Sequence, residues 1–409
     1  MFKKSPLAPA RFPALAPVAG IRVSGIAAGL KESGRPDLFL AEFVKGSTVA
    51  GVFTKSKCSS APVDWCRSIL KNGRIRSLVV NSGNANAFTG RAGDRTVEYT
   101  VAAAAKLFGC RRNEVYLAST GVIGVPVSQD YIASKLPDVA KRLGKNKWAD
   151  AAAAIMTTDT FPKAAMRKVK IGTADVSIVG IAKGSGMIAP DMATMLSFVF
   201  TDAKIPARVL QRLLKHAADR SFNSITVDSD TSTSDTLLLA ATGQVRHPKV
   251  SGVGEAHLKD FRKALHAVCI DLATQVVRDG EGAQKFVTID VSGAESAAAA
   301  RRIGLAVANS PLVKTAIAGG DPNWGRIVMA VGKAGEKADR DMLSIGMGGV
   351  PITVEGQLLE GYDESVIERH MAGREIEIAL DVGVGRGQAR VWTCDLTHGY
   401  VDINADYRT

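Results

Sequence analysis

The chain has 409 residues, of which 46% are hydrophobic and 22% charged, so it is long enough for two domains or two closely packed halves. Its five cysteines are scattered and form no CxxC pair, which argues against a disulfide framework or a zinc site, and the sequence implies no metal; they are Cys58, Cys66, Cys110, Cys269 and Cys394. No run of about 18 apolar residues occurs, so no membrane span is predicted.

The net charge of +12 and the isoelectric point near 9.5 leave three interpretations open. A basic protein can bind nucleic acid, but here Lys and Arg are dispersed, aromatic residues make up only 6% of the chain, and no basic–aromatic block occurs. A positive field can also attract small carboxylate substrates. The third interpretation is a well-solvated basic surface with no specific partner.

The N-terminal segment is basic and rich in small residues, but Pro6, Pro9, Pro13 and Pro17 interrupt it. A secretory signal needs an unbroken apolar core, which these prolines prevent. An organellar presequence is the alternative. We expect a cytoplasmic protein.

The first half of the chain alternates β-rich runs with turns and helices. The predicted elements are strands at 47–53 and 76–81, a glycine-rich turn at 81–84, helices at 93–108 and 129–143, strands at 174–181 and 195–200, and a glycine-rich loop at 183–186. Gly109 is a good signal for the end of the first helix.

The second half repeats this mixture. The predicted elements are a helix from Pro206 to about Ala218, an amphipathic helix at 256–277, and strands at 286–291, 376–382 and 388–394. Strands outnumber simple βαβ crossovers. The pattern therefore predicts an α+β fold, a layered sandwich with helices packed on mixed sheets, rather than a doubly wound sheet.

The junction between Ala193 and Thr194 carries the most specific chemistry. A small residue precedes Thr194, a strand follows it, and a glycine-rich loop lies upstream. Such a setting can hold the threonine hydroxyl against its own backbone carbonyl, as an N-to-O acyl shift requires. Cleavage would release an α-amine with a pKa of about 7.7–8.0 beside the hydroxyl, so one residue would supply nucleophile and base. The spacing alone is more typical of a threonine that merely begins a strand.

Motifs spread in order over nearly the whole chain resemble those of the ornithine acetyltransferase family, also called the bifunctional glutamate N-acetyltransferase/amino-acid acetyltransferase family. They are FPALAPVAGIRVSGIAAG, GVFTKSKCSSAPV, NSGNANAFTG, STGVIG, TTDTFPK, KGSGMIAPDMATMLSFVFTDA, VDSDTSTSDT, DPNWGRI and INADYRT. The resemblance implies an N-terminal-nucleophile-like fold. It also implies self-cleavage between Ala193 and Thr194 into residues 1–193 and 194–409.

The implied reaction is a ping-pong acetyl transfer from N2-acetyl-ornithine to glutamate in arginine biosynthesis, through an acetyl ester on Thr194. No cofactor is implied, although some family members also accept acetyl-CoA. The two fragments are expected to stay associated, as a heterotetramer of two α and two β chains.

The resemblance also assigns roles to individual residues. Thr120 and Gly121 of the STG motif are implied to stabilise the oxyanion, with Thr194 as the nucleophile. The residues implied to bind substrate are Thr157, Thr158, Lys183, Thr194, Glu281, Asn404 and Thr409. The chain departs from the family pattern at Ser229, where glycine is commoner.

Two alternatives remain at this point. A related N-terminal-nucleophile amidohydrolase or aminopeptidase would share the cleavage but pass its acyl group to water. A basic nucleic-acid-binding protein would show salt-sensitive retention on DNA and no acetyl transfer.

Overall fold

A computed structural model describes residues 3–189 and 195–405. Up to Lys183 the helices and strands are β1 (Ile21–Ile26), β2 (Leu38–Phe43), β3 (Thr48–Phe53), α1 (Ala61–Ile69), β4 (Ser77–Asn84), α2 (Gly90–Phe108), β5 (Val115–Val122), α3 (Tyr131–Lys141), α4 (Trp148–Ala154), β6 (Lys163–Ile171) and β7 (Ala174–Lys183). From Leu196 onward they are β8 (Leu196–Thr201), α5 (Ala207–Asp219), β9 (Thr236–Ala241), α6 (Lys259–Arg278), β10 (Phe286–Ala294), α7 (Ala297–Ala308), α8 (Pro311–Gly319), α9 (Trp324–Gly332), β11 (Ser344–Met347), β12 (Val350–Val354), β13 (Gln357–Leu358), α10 (Glu364–Ala372), β14 (Glu375–Asp381), β15 (Gly387–Cys394) and α11 (His398–Ala405).

Two mixed sheets share one hydrophobic core. One has the strand order β1-β2-β4-β5 and the other β3-β9-β8-β7-β6. Alternate strand residues point to opposite faces, so Phe39 and Phe43 enter the shared core of the two sheets. There Phe39 meets Phe198, with ring centroids 5.9 Å apart, and Phe43 meets Phe200 at 6.0 Å. Aromatic pairs of this kind contribute to the packing between the sheets.

Helices cover the outer faces of both sheets. On one side α2 and α3 pack on the other face of β2, β4 and β5. On the opposite side α5 and α6 pack on the second sheet, where Leu265, Val268 and Leu272 of α6 are buried. The resulting order is helix, sheet, sheet, helix. It confirms the predicted sandwich of helices on mixed sheets.

A separate sheet, ordered β13-β12-β11-β14-β10-β15, lies outside this sandwich. Its core is formed with α7, α8 and α9, and includes Ile289, Ile303 and Ile378. Among the described residues, every helix is too short or too polar to cross a membrane.

The predicted junction lies in the connection between two neighbouring strands. β7 and β8 pair antiparallel, with Lys183 opposite Leu196. Strands β3, β6 and β7 precede residues 190–194 and strands β8 and β9 follow them, yet all belong to the same sheet. Residues on both sides of the junction therefore share backbone hydrogen bonds and a core.

Several local predictions agree with the structure and two differ. Gly109 ends α2 with a left-handed φ of +56°. Pro206 is the residue before α5 rather than its first residue. The turn predicted at 81–84 is instead the end of β4, because the parallel neighbour β5 continues alongside it. The Ser82 hydroxyl there donates to the Ala154 carbonyl at 2.7 Å, so its polar side chain is satisfied inside the fold.

Candidate active site

Thr120 and Gly121 lie near the end of β5, beside the end of β4. Thr120 is buried and Gly121 has a φ of +129°, which favours glycine. A Cβ atom on Gly121 would stand 2.4 Å from the carbonyl carbon of Gly83. Any side chain would therefore push the two strand ends apart. The close approach fixes the backbone that carries the two predicted oxyanion groups.

Lys31 connects this region to the predicted substrate-binding threonines. A Cβ on Gly83 would meet the Lys31 side chain at 3.1 Å. The Lys31 ammonium donates to the carbonyl oxygen of Met156 at 2.6 Å, next to Thr157. Burial and, to a smaller extent, the positive charge of Arg35 lower the pKa of Lys31 to about 8. This lysine lies in none of the sequence motifs that pointed to a site.

Thr157, Thr158 and Lys183 lie together. The Lys183 ammonium donates to the Thr157 hydroxyl at 3.3 Å, and the hydroxyls of Thr158 and Ser185 are 2.5 Å apart. Lys183 is only 6% exposed, and burial lowers its pKa despite the nearby charges of Asp159, Asp235 and Glu281. A buried ammonium group close to hydroxyl groups is suited to bind a carboxylate.

Glu281 follows α6 in a tight turn. Its backbone N–H donates to the Ser185 carbonyl at 2.9 Å, and its carboxylate accepts from the Asn404 amide at 2.8 Å. A Cβ on Gly186 would stand 2.3 Å from the carboxylate oxygen of Glu281. Glycine at 186 therefore leaves the space in which this carboxylate lies.

The segments on either side of the predicted junction are anchored. Asp228 accepts the backbone N–H of Met187 at 2.6 Å and of Ile188 at 2.8 Å. Beyond the junction, the carbonyl of Met195 accepts the N–H of Thr236 at 3.1 Å. Three predicted site residues lie outside the described residues: Ala193, Thr194 and Thr409.

A buried ionic cluster, Asp159–Lys163–Asp279, lies behind these residues and was not identified from the sequence. The Lys163 ammonium is 2.6 Å from a carboxylate oxygen of each aspartate, and all three side chains are fully buried. Burial favours neutral groups, but the two carboxylates reverse this for Lys163 and raise its pKa. Asp159 and Lys163 belong to the TTDTFPK motif. Charged residues beside apolar ones in that motif are the sequence feature that could have indicated a buried ionic cluster.

The structure thus brings Thr157, Thr158, Lys183, Glu281 and Asn404 into one chain of contacts. Thr120 and Gly121 lie beside Gly83, which is close to the Lys31 side chain. A cation, an anion and several hydroxyls side by side match the carboxylate, ammonium and polar groups of an amino acid. No three His, Cys, Asp or Glu side chains within residues 3–189 and 195–405 are placed to share a metal ion.

The chain is similar to proteins of one family over nearly its whole length. The model of the ArgJ family matches residues 22–409. The arginine biosynthesis bifunctional protein ArgJ of Gluconobacter oxydans is 58% identical over 411 residues, which cover 100% of this chain and 97% of the relative. The protein of the same name from Brucella suis is 54% identical over 408 residues, 99% of each chain. The crystal structure of ArgJ from Bacillus halodurans is 38% identical with a TM-score of 0.50, covering 52% of this chain and 100% of that chain.

Proposed function

Because the chain belongs to the ArgJ family, we propose that it transfers the acetyl group of N2-acetyl-ornithine to glutamate, in arginine biosynthesis. The products are ornithine and N-acetylglutamate. The observation that carries this assignment to the site is the contact chain through Thr157, Lys183, Glu281 and Asn404. It offers opposite charges for an amino-acid substrate.

Thr194 is the proposed nucleophile. Its α-amine takes the proton of its hydroxyl, and Oγ attacks the acetyl carbonyl carbon. The negative oxygen that forms is stabilised by the Thr120 hydroxyl and the Gly121 N–H, a contribution typically worth roughly 10²–10³ in rate for one donor. The bond between the carbonyl carbon and the ornithine nitrogen then breaks, and that nitrogen takes the proton from the α-amine of Thr194. In the second half of the reaction the amine of glutamate attacks the acetyl carbonyl carbon of the ester. The bond from that carbon to Thr194 Oγ breaks, and a proton from the amine returns to Oγ through the α-amine, which leaves N-acetylglutamate and the free hydroxyl.

The remaining polar residues hold the substrate. Lys183 binds the carboxylate of the substrate and Glu281 binds its ammonium group. The hydroxyls of Thr157 and Thr158 form hydrogen bonds with the substrate. Asn404 orients the Glu281 carboxylate. Thr409 is also proposed to bind substrate, on the family assignment alone. These roles rest on the family assignment and on the charges of the groups.

Thr194 becomes N-terminal by cleavage after Ala193, which gives an α chain of residues 1–193 and a β chain of residues 194–409. The B. halodurans chain supports this division, since it matches throughout but spans 52% of the present chain, close to the length of one fragment. The fragments stay together and form a heterotetramer of two α and two β chains in the cytoplasm. No cofactor is needed. The word "bifunctional" in the relatives' names supports acetyl-CoA as a second acetyl donor.

The test combines mass spectrometry with a transfer assay. The purified protein should give two fragments that meet at Ala193 and Thr194, and acetyl-ornithine plus glutamate should yield N-acetylglutamate. Thr194→Ala should block both cleavage and transfer, while Thr194→Ser, which keeps a hydroxyl, should retain some of each. Acetate released equally with and without glutamate would instead identify a hydrolase. A full-length chain with full activity would contradict the mechanism.

A further inference from the structure

We propose that the buried cluster Asp159–Lys163–Asp279 is a positioning element, which fixes the three substrate-binding segments relative to one another across the two fragments. The segments are residues 157–160, residues 183–185 at the end of β7 and just after it, and the turn at 279–282 after α6. The inference rests on the proposed function for the identity of the substrate. The geometry of the cluster does not depend on it.

Lys163 is the centre of the cluster. It begins β6, and its ammonium lies 2.6 Å from Asp159 Oδ1 and 2.6 Å from Asp279 Oδ2. The carbonyl of Phe161 accepts a third hydrogen bond at 3.3 Å. All three protons of the ammonium are therefore used within the protein. Such a group is a rigid connector and has no proton to donate to a substrate.

Asp159 joins two of the substrate-binding segments. One carboxylate oxygen accepts the backbone N–H of Thr157 at 2.8 Å, and the other accepts the N–H of Gly184 at 2.7 Å. The side chains of Thr157 and Lys183 are in contact, and the backbone N–H groups of Thr157 and of Gly184, the residue after Lys183, are bound to one carboxylate. A shift of Asp159 would therefore change the distance between the Lys183 ammonium and the Thr157 hydroxyl.

Asp279 brings in the third segment, from the other proposed fragment. It accepts both the backbone N–H of Thr160, at 2.9 Å, and the Thr160 hydroxyl. It stands two residues before Glu281, whose N–H is bound to the Ser185 carbonyl. Lys163 therefore joins the two proposed fragments, because it binds Asp159, which precedes residues 190–194, and Asp279, which follows them.

Stability alone does not account for the cluster. Removing charges from water is costly, and apolar residues of similar volume often replace a buried ion pair with no loss of stability. What apolar residues cannot supply is acceptors for the N–H groups of Thr157, Thr160 and Gly184. These N–H groups all belong to segments that bind substrate. The cluster thus contributes geometry to the site.

The experiment compares Asp159→Asn and Asp279→Asn with Gln275→Met. Gln275 is the matched control: its amide bridges α6 to Ala164 of β6, one turn before Asp279, but contacts no substrate-binding segment. Each aspartate variant keeps the side-chain shape and places an amide donor where an acceptor is needed. We expect the KM for N2-acetyl-ornithine to rise about tenfold with a smaller change in kcat, since the affected groups hold the substrate in ground and transition states alike. Gln275→Met should lower the unfolding temperature but leave KM within twofold.

The outcomes separate the two proposals. Wild-type protein without acetyl transfer would refute the proposed function. Active wild-type protein with folded aspartate variants of unchanged KM would overturn the positioning role, as would a KM increase in Gln275→Met equal to theirs. Should an aspartate variant not fold, Thr160→Val, which removes one hydroxyl and no charge, takes its place. An unchanged KM in that variant would also overturn the proposal.

Discussion

Asp228 is a partly buried carboxylate that binds the backbone N–H groups of Met187 and Ile188, which precede the proposed cleavage site in the chain. Met187, one of its two N–H donors, has a φ of +55°, and the neighbouring Ser229 has a φ of +67°. Both angles lie in the left-handed region that favours glycine. The φ of Ser229 gives a physical reason for the glycine that the family resemblance leads one to expect at position 229.

The pKa of Asp228 yields a prediction on pH. Burial raises it to about 6, although the N–H groups of Met187 and Ile188 lower it in part. An unfolded chain has an aspartate pKa of about 3.9, so between these values the folded protein binds the proton more tightly, and this group adds stability as the pH falls. The free energy of unfolding of wild type minus that of Asp228→Asn should therefore increase by up to about 3 kcal/mol from pH ~7 to pH ~4. Urea unfolding of both proteins measures it. A difference that is constant or decreases would contradict the assignment.

The loop after β7 has to approach the turn after α6 very closely. Gly186 stands where a Cβ atom would be 2.3 Å from the Glu281 carboxylate, the movable end of a side chain. The obstacle is therefore one that substitution can displace without disturbing the backbone. Function rather than stability should respond to a change at this position.

Gly186→Ala is expected to push the Glu281 carboxylate away from its contact with Asn404. Loss of this charged contact should raise the KM for N2-acetyl-ornithine about tenfold. The unfolding temperature should remain that of the wild type. Gly254→Ala is the control, because a Cβ at that position meets nothing within 4 Å. An unchanged KM in Gly186→Ala would argue against a substrate-binding role for Glu281.

At the scale of the whole molecule, the two proposed fragments form one folded unit. Sheet β3-β9-β8-β7-β6 takes strands from both, and its core aromatic pairs cross the junction in sequence. Phe39 belongs to the first fragment and Phe198 to the second, and both are fully buried. Cleavage of the single peptide bond between residues 193 and 194 removes none of these contacts, so the fragments should separate only on unfolding.

Phe198→Ala tests this directly. Removing a buried phenylalanine typically costs about 3–5 kcal/mol, here from the core that both fragments share. The variant should release its fragments at a clearly lower urea concentration, measured by size-exclusion chromatography with mass detection. Leu312→Ala, at a side chain 53% exposed, should behave like the wild type. Fragments that separate without denaturant in the wild type would contradict the shared core.

Much of the fold could be predicted from local signals. The apolar spacing of α6, the glycine that ends α2 and the strands around the junction were all visible in the sequence. The strand nature of residues 81–84 was not, since Asn81 to Asn84 have the composition of a turn. Their strand is supported by β5, a distant neighbour. Pairing with another segment outweighed local preference there.

The sequence by itself predicted the chemistry at the junction and identified the family, because threonine after a small residue, glycines and charged motifs can be recognised in order along the chain. Only the tertiary structure decided which charges meet. Lys163 is four residues from Asp159 but 116 from Asp279, and it binds both at 2.6 Å. Local residue pattern does not encode such distances. They result from packing α6 against β6 in a core where water cannot stand in for a missing partner.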